Sequence, residues 1–326
     1  MAEILSEATD PAHSMTCMEI WGGNRATFRN VTLPGLGAWV YSRPYQQAES
    51  GGDVYYVSNC ATGRITRLML ADVSGHGSAV AKIANDLRML MRRYVNHIQQ
   101  VKFVSSMNNE FASLASSGGF ATAVVATFLA PTRRLTFSNA GHPHPLIYTA
   151  SDRRWRLLET LQDEEGHLCG PSDLPLGIFE DGDYGELELM LDVGDIVLFH
   201  TDAFIESRDS QGELLGSQAF LDIVSKFEGD HPETLLEKIV TKVTSLYPGN
   251  LTDDDVTLLL FQATGEEAQV PIGKRILAPF RFLKGMSASL LNGGRGMPLP
   301  EFSLANLGGA MFESLTHRAT RVQKPK

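Results

Sequence analysis

Cysteine is scarce in this chain of 326 residues. Cys17, Cys60 and Cys169 stand far apart, are odd in number and form no CxxC pair. That argues against a disulfide framework or a zinc knuckle and suits a reducing, cytoplasmic setting. Long apolar runs are missing too. No stretch approaches the roughly 18 apolar residues that read as a membrane-spanning helix, so no transmembrane segment is predicted. The opening MAEILSEATDPAHS is acidic and lacks the apolar core of a signal peptide. Positive charge is in deficit, with a formal net charge of −10. Nucleic acid is therefore not predicted as a partner, because phosphate backbones are bound through excess Lys and Arg. There is no GxxxxGKS/T segment, and Gly-His-Gly is not a phosphate-binding loop. No internal repeat is visible.

What the chain does have is a long series of short apolar segments, with 43% hydrophobic and 20% charged residues, as in a folded domain. Residues 38–42 read as a strand, and 54–57 and 65–71 as a strand pair around Ala61-Thr62-Gly63. After Ser74-Gly75-His76-Gly77 the period changes. Val80, Ile83, Leu87, Leu90, Met91 and Tyr94 recur at steps of three and four, which predicts an amphipathic helix to about His97. A second helix carries Phe103, Val104, Met107, Phe111 and Leu114 on one face and stops at Gly118-Gly119. Strands resume as a hairpin of 121–130 with 135–139, a pair of 145–149 with 154–158, a strand over 184–191 and a fully buried one over 196–200. Helices are predicted at 217–227 and 233–246, and a last strand at 256–262. This order predicts an α+β fold with antiparallel sheets, a two-sheet sandwich covered by helices, and not an alternating βαβ sheet. Three parts are expected: an N-terminal extension (1–37), a main domain (38–264) and a C-terminal tail (265–326). The tail is basic and rich in Gly and Pro. Residues 271–326 hold nine Lys/Arg against two Asp/Glu, which leaves the rest of the chain at −17. It reads as a disordered or loosely docked segment, or as one that docks on an acidic partner or membrane surface.

Four aspartates sit at predicted strand edges. Asp53 follows Gly51-Gly52. Asp72 lies between a strand and a helix, Asp202 follows the buried strand, and Asp254 belongs to Asp253-Asp254-Asp255 before the last strand. A lone carboxylate at an apolar strand end is costly to desolvate. Several converging on one point repel unless a cation lies between them, and all-oxygen donors suit hard ions such as Mg²⁺ or Mn²⁺. Each aspartate also has a plainer reading as a turn former or helix cap, and a calcium-stabilised binding module would use the same residues for structure alone. Spacing does not choose between these. His76, His142 and His144 read either as a proton donor or as residues that fix Gly- and Pro-rich turns.

Six segments in order carry more: GGDVYY at 51–56, ADVSGHGSAVAK at 71–82, ATAVVATFLAPTRRLTFSNAGHPHPLIY at 121–148, LPLGI at 174–178, LDVGDIVLFHTDAFIES at 191–207 and DDVTLLL at 254–260. Over about residues 38 to 263 the chain resembles the PPM (PP2C-like) metal-dependent protein phosphatases, in particular their bacterial SpoIIE-type branch. The resemblance implies a β-sandwich of two mainly antiparallel sheets flanked by helices on both outer faces. It also implies hydrolysis of phosphoserine or phosphothreonine on a regulatory protein, by water held between two divalent cations (Mn²⁺ or Mg²⁺). By position, Asp53 and Asp72 look like ligands that bridge or flank the two metals, and the Val73 backbone carbonyl like a further ligand. Asp202 and Asp254 look like ligands to one of them, with Asp255 as a neighbour. The implied substrate is a phosphorylated anti-sigma-factor antagonist or similar small domain, and the implied activator acts on the helices across 78–117. An oligomer is left open. Two positions depart from the pattern. Ala203 replaces the usual Gly after the third aspartate, and Tyr56 replaces a frequent second acid. If position 203 requires a positive φ, Ala would strain the Asp202 loop. That motivates an alternative, a pseudophosphatase that binds a partner without turnover.

Overall fold

The computed structural model describes residues 13–15, 20–59, 64–75, 78–95, 97, 99–114, 119–158, 161–162, 168–169, 174–180, 182 and 184–265. Its strands are β1 (His13–Ser14), β2 (Ile20–Gly23), β3 (Thr27–Leu33), β4 (Leu36–Arg43), β5 (Asp53–Asn59), β6 (Ile65–Val73), β7 (Ala121–Leu129), β8 (Arg134–Ala140), β9 (Leu146–Thr149), β10 (Arg154–Leu157), β11 (Leu161–Gln162), β12 (Leu168–Cys169), β13 (Leu187–Met190), β14 (Ile196–His200) and β15 (Val256–Ala263). The helices are α1 (Ser78–Arg93), α2 (Gln100–Leu114), α3 (Gly216–Ser225) and α4 (Pro232–Leu246). One sheet has the order β1-β3-β4-β15-β14-β9-β10 and the other β13-β8-β7-β6-β5-β2, while β11 and β12, among the described residues, pair with each other alone. All pairings within the two large sheets are antiparallel except the short β1–β3 contact. The α+β sandwich expected from the order of segments is therefore the architecture found.

Side chains of a strand alternate between its two faces, and here both faces are covered. Leu36, Ala38 and Val40 of β4, Tyr55 and Val57 of β5, Leu68 and Leu70 of β6, Val197 and Phe199 of β14, and Leu259 and Phe261 of β15 fill the space between the sheets. The intervening residues face outward. On one side Val54, Tyr56, Met69 and Ala71 pack against α1 and α2. On the other Tyr41, Leu198, Leu258 and Leu260 pack against α3 and α4. Double coverage is why the central strands read as continuous apolar runs. Tyr56, the departure from the usual acid, is one of these outward core residues and is fully buried. Arg67 is buried as well. Its guanidinium donates to Thr127, to the His97 carbonyl and to Gln100 (3.4 Å), and it lies 4.6 Å from the Phe103 ring centre, so the connection between α1 and α2 is fastened to β6.

Several boundaries move. The sheets begin upstream of residue 38, since β2 pairs with β5 and β3 with β4. In β3 the apolar residues fall on both faces, Val31 and Leu33 inward and Phe28 outward, so no simple alternation marks the strand. The strand expected over 184–191 is confined to Leu187–Met190, and α1 ends at Arg93. The turn at 61–63, His76-Gly77 and the tail from 266 onward lie outside the described residues. Among the described residues, no helix is long and apolar enough to cross a membrane.

Candidate active site

The alternation that builds the core also builds the site. On β5, Asp53 shares the inward parity of Tyr55 and Val57, and on β6, Asp72 shares that of Leu68 and Leu70. The two aspartates are direct cross-strand partners. On β15 and its approach, Asp255 and Thr257 share the inward parity of Leu259 and Phe261. Strands β14 and β15 run antiparallel with His200 opposite Leu258, so Asp202, just past β14, and Asp254, just before β15, lie at the same end of their sheet. One end of the sandwich thus carries all four expected aspartates above the apolar interior.

Asp255 joins the two sheets there. Its Oδ2 accepts from the backbone N–H of Gly52 (2.5 Å) and Asp53 (3.3 Å), and its Oδ1 accepts from the N–H of Tyr45 (2.6 Å). These bonds fix where β5 begins and hence where Asp53 points. The Thr257 hydroxyl lies 3.0 Å from Ser42 Oγ and, from the same inward face, favours the ionised form of Asp53. Thr201 and Thr257 bond to each other twice, with Thr201 N donating to Thr257 O (3.1 Å) and Thr257 N to the Thr201 hydroxyl Oγ1 (3.0 Å). This cross-link seats the turn of Asp202–Phe204, and Phe204 anchors it in the apolar layer beneath α3.

The two glycines before Asp53 are required by close approach. A Cβ on Gly51 would sit 2.6 Å from Asp255 Cγ, and one on Gly52 would sit 2.9 Å from the Val73 carbonyl oxygen and from Val80 Cγ1. Gly51→Ala is expected to drive Asp255 off the β5 N–H groups and lower stability by about 1–3 kcal/mol, measured by urea unfolding. Gly23→Ala, where the nearest atom would be 3.8 Å away, is the control expected to cost far less.

The carboxylates at this end are poorly compensated. Asp53 is only 3% exposed, and its Oδ2 has no hydrogen-bond partner. Burial first, then the charges of Asp72 and Asp255, push its carboxyl well above the usual range. Burial followed by Asp202, Asp254 and Asp255 raises Asp72 to about 7, and burial followed by Glu206 and Asp254 raises Asp202 to about 6. These carboxylates therefore sense one another across a single mouth, and each resists ionising beside the others. Among the described residues no three of His, Cys, Asp or Glu already enclose one point. The donors face a common space without being drawn together around it. An unpartnered buried carboxylate oxygen, a backbone carbonyl packed on the glycine pair and a surplus of negative charge fit hard divalent cations.

Ala203 does not strain the turn. It lies in a short 3-10 segment, outside the left-handed region, with its side chain buried. His142 and His144 belong to a clamped turn. Asn139 Oδ1 accepts from His142 N (2.8 Å), and Asn139 Nδ2 donates to His142 O (2.7 Å). Burial holds His142 neutral, with its pKa lowered to about 3, and its Nδ1 lies 2.9 Å from Thr122 Oγ1, opposite Asp72 in the sheet. His200, lowered to about 4 by burial, reaches the His144 carbonyl. The geometry matches the turn-fixing reading of these residues. Three features went unread in the sequence: Glu206 beside Asp202, the Thr201–Thr257 cross-link, and the bonding role of Asp255. The inward parity of Asp255 with Leu259 and Phe261 was the available signal for the last.

The model of the family Stage II sporulation protein E (SpoIIE) matches residues 62–264. The phosphoserine phosphatase RsbP of Bacillus subtilis (strain 168) is 25% identical over 244 residues, which is 71% of this chain and 54% of that protein. The chain thus spans about half the length of this relative. Among solved structures, the RsbU and RsbW domains of a Mycobacterium tuberculosis protein superpose with a TM-score of 0.61 at 23% identity, covering 80% of this chain and 71% of that one. The SiaA-PP2C domain of Pseudomonas aeruginosa gives 0.58 at 19% identity, covering 69% and 85%. These likenesses establish the PP2C-like fold.

Proposed function

The chain belongs to the SpoIIE family, and on that premise we propose that it is a metal-dependent protein serine/threonine phosphatase. The observation that carries this reading is geometric: Asp53, almost fully buried with Oδ2 unpartnered, lies directly across the strand pair from Asp72, at the end of the sandwich where Asp202 and Asp254 flank β14 and β15. Asp53, Asp72, the Val73 carbonyl, Asp202 and Asp254 would hold two divalent cations, Mn²⁺ or Mg²⁺. When bound, such ions lower the pKa of water and offset charge on phosphoryl oxygens. The chain's own part is positional. Asp255 holds the backbone at Gly52 and Asp53, and the Thr201–Thr257 cross-link seats Asp202, so the carboxylates would be in position before substrate arrives. The proposed substrate is a phosphoserine or phosphothreonine on a regulatory protein such as an anti-sigma-factor antagonist, a reading supported by likeness to a phosphoserine phosphatase. An activator acting on the helices across 78–117 has a physical route inward through Val80 of α1, which lies against Gly52 and Gly75. The fit of Ala203 to its turn removes the motive for a pseudophosphatase. The full chain with Mn²⁺ is expected to hydrolyse an aryl phosphate and a phosphoserine protein, and EDTA to stop both. Absence of turnover with Mn²⁺ and with Mg²⁺, while a thermal shift shows the cation bound, would overturn the proposal.

A further inference from the structure

Beside Asp254 the surface opens into a cavity of about 430 Å³ whose lining includes Glu206, Arg208, Leu214, Tyr247, Asp253 and Asp254. Its Asp254 edge borders the cation site proposed above, while Arg208, Leu214, Tyr247 and Asp253 have no part in that chemistry. We infer that this cavity is a specificity pocket for a basic side chain, Lys or Arg, that lies near the phosphoresidue of the substrate protein. The inference rests on the phosphatase reading for the substrate's identity, and on the cavity itself for its chemistry.

The walls are built in advance. Asn250 is buried and clamps the loop that carries Glu206 and Arg208 to the end of α4. Its Oδ1 accepts from Arg208 N (2.8 Å), and its Nδ2 donates to Arg208 O (2.7 Å) and Val243 O (2.9 Å). Arg208 and Leu214 form an isolated bridge, and the turn between them is pinned by Asp209 Oδ1, which accepts from Gln211 N and Glu213 N. A preformed cleft with an apolar wall and a few fixed polar groups is the usual form of a ligand pocket.

The chemistry of the lining is specific. Leu214 is 60% exposed and Tyr247 is 38% exposed, and both line this one cavity. Glu206 and Asp253 bring negative charge, and among the described residues neither is in an ion pair. Among the described residues the one cation of the lining is Arg208, which donates from Nη1 to the Gly212 carbonyl at 2.7 Å and is tied to its own turn. Even with Asp254 committed to a metal, the remaining charge is negative. A Lys or Arg fits both halves. Its aliphatic stem covers Leu214 and the Tyr247 ring, and its cationic head meets Glu206 and Asp253 while gaining from the aromatic face. An acidic side chain would face the carboxylates, and a purely apolar one would leave them uncompensated.

The test uses the intact chain with Mn²⁺ and a set of short phosphoserine peptides, each alanine-based with a single Arg at a different position around the phosphoserine. Binding is read by fluorescence anisotropy and hydrolysis by phosphate release. One Arg position is expected to bind about tenfold tighter than the all-alanine phosphopeptide. In the double variant Tyr247→Ala/Asp253→Asn that ratio is expected to fall close to unity, and in Asp253→Arg a Glu peptide is expected to overtake the Arg peptide. Both sites are on the surface, and thermal melts of the variants check folding. No positional preference in the parent chain, or a preference that survives the double variant, would overturn the inference. So would a peptide copying residues 273–284 of this chain outcompeting every phosphopeptide, which would give the cavity to the chain's own basic segment. Hydrolysis without discrimination would sink the pocket and leave the phosphatase standing. Discrimination in binding without hydrolysis would do the reverse.

Discussion

Replacing Asp53 by Asn is expected to lower Mn²⁺-dependent turnover of an aryl phosphate by on the order of 10²–10³-fold and, at the same time, to raise the melting temperature of the metal-free protein. The two effects have one cause. Asp53 sits at the inward end of β5, almost out of water, with Oδ2 unpartnered and with Asp72 directly across the strand pair. A carboxylate in that place is tolerable only if something positive joins it. Asn keeps the shape and loses the charge, so the metal-free protein is relieved of repulsion and the proposed cation site is lost. The same variant should abolish the thermal shift produced by Mn²⁺ in the parent chain. Asp202→Asn should follow the same pattern with a smaller gain in metal-free stability, because Asp202 is less buried. A drop in melting temperature with activity retained would mean that Asp53 is there to support structure, and the proposed site would be wrong. The Asn variant is preferred to Ala, since removing the side chain would also add a cavity, confusing charge with packing.

How much of this was legible in the sequence depends on the element. Ile196–His200 and Val256–Ala263 were readable because helices cover the outer face of their sheet, so both parities are apolar. α1 was readable because its inner face repeats at helical spacing and nothing interrupts it before Arg92 and Arg93, basic residues suited to the carbonyl end of a helix. β2 was not, because it is four residues long and half glycine. Gly22 is there because a Cβ would press on the Tyr55 carbonyl, a constraint that exists only once β5 lies alongside. The aspartates show the same division. Each was visible as an acid at a strand edge, and the ordered segments around them suggested a set. Their gathering at one end of the sandwich is a property of strand pairing: Asp53 meets Asp72 through register, and Asp255 reaches β5 across the gap between sheets. No local pattern encodes a contact made over two hundred residues of chain. The concern about Ala203 had the opposite fate. It was a sound inference from glycine's freedom, and it failed because the turn at Asp202–Phe204 uses ordinary backbone angles.

The metal-free protein is expected to lose stability as pH rises from about 4 to about 7, against the trend of a protein stabilised by paired carboxylates. Asp72, raised from 3.8 to about 7, and Asp202, raised to about 6, hold protons in the folded state over a range where the unfolded chain has released them. Stability falls with pH wherever the folded state binds more protons. The contribution is therefore complete below pH 4 and is gone above the folded pKa values. The rise of Asp72 from 3.8 to about 7 corresponds to roughly 4 kcal/mol at most; water at the open mouth screens part of it, leaving on the order of a few kcal/mol. Two groups oppose the trend. His142 and His200 have pKa values lowered to about 3 and about 4, so their stabilising effect is present above the usual histidine value and is lost on acidification. A comparison of the parent chain with Asp72→Asn cancels both, because the histidines are common to the two proteins. Melting temperatures in EDTA should converge near pH 4 and separate by several degrees at pH 7.5, with the variant the more stable. Saturating Mn²⁺ should raise the parent at pH 7.5, release protons on binding, and leave the variant nearly unmoved. Parallel curves for the two proteins across the whole range would show that the carboxylates do not repel one another at this mouth, and the charge argument for paired cations would fall with them.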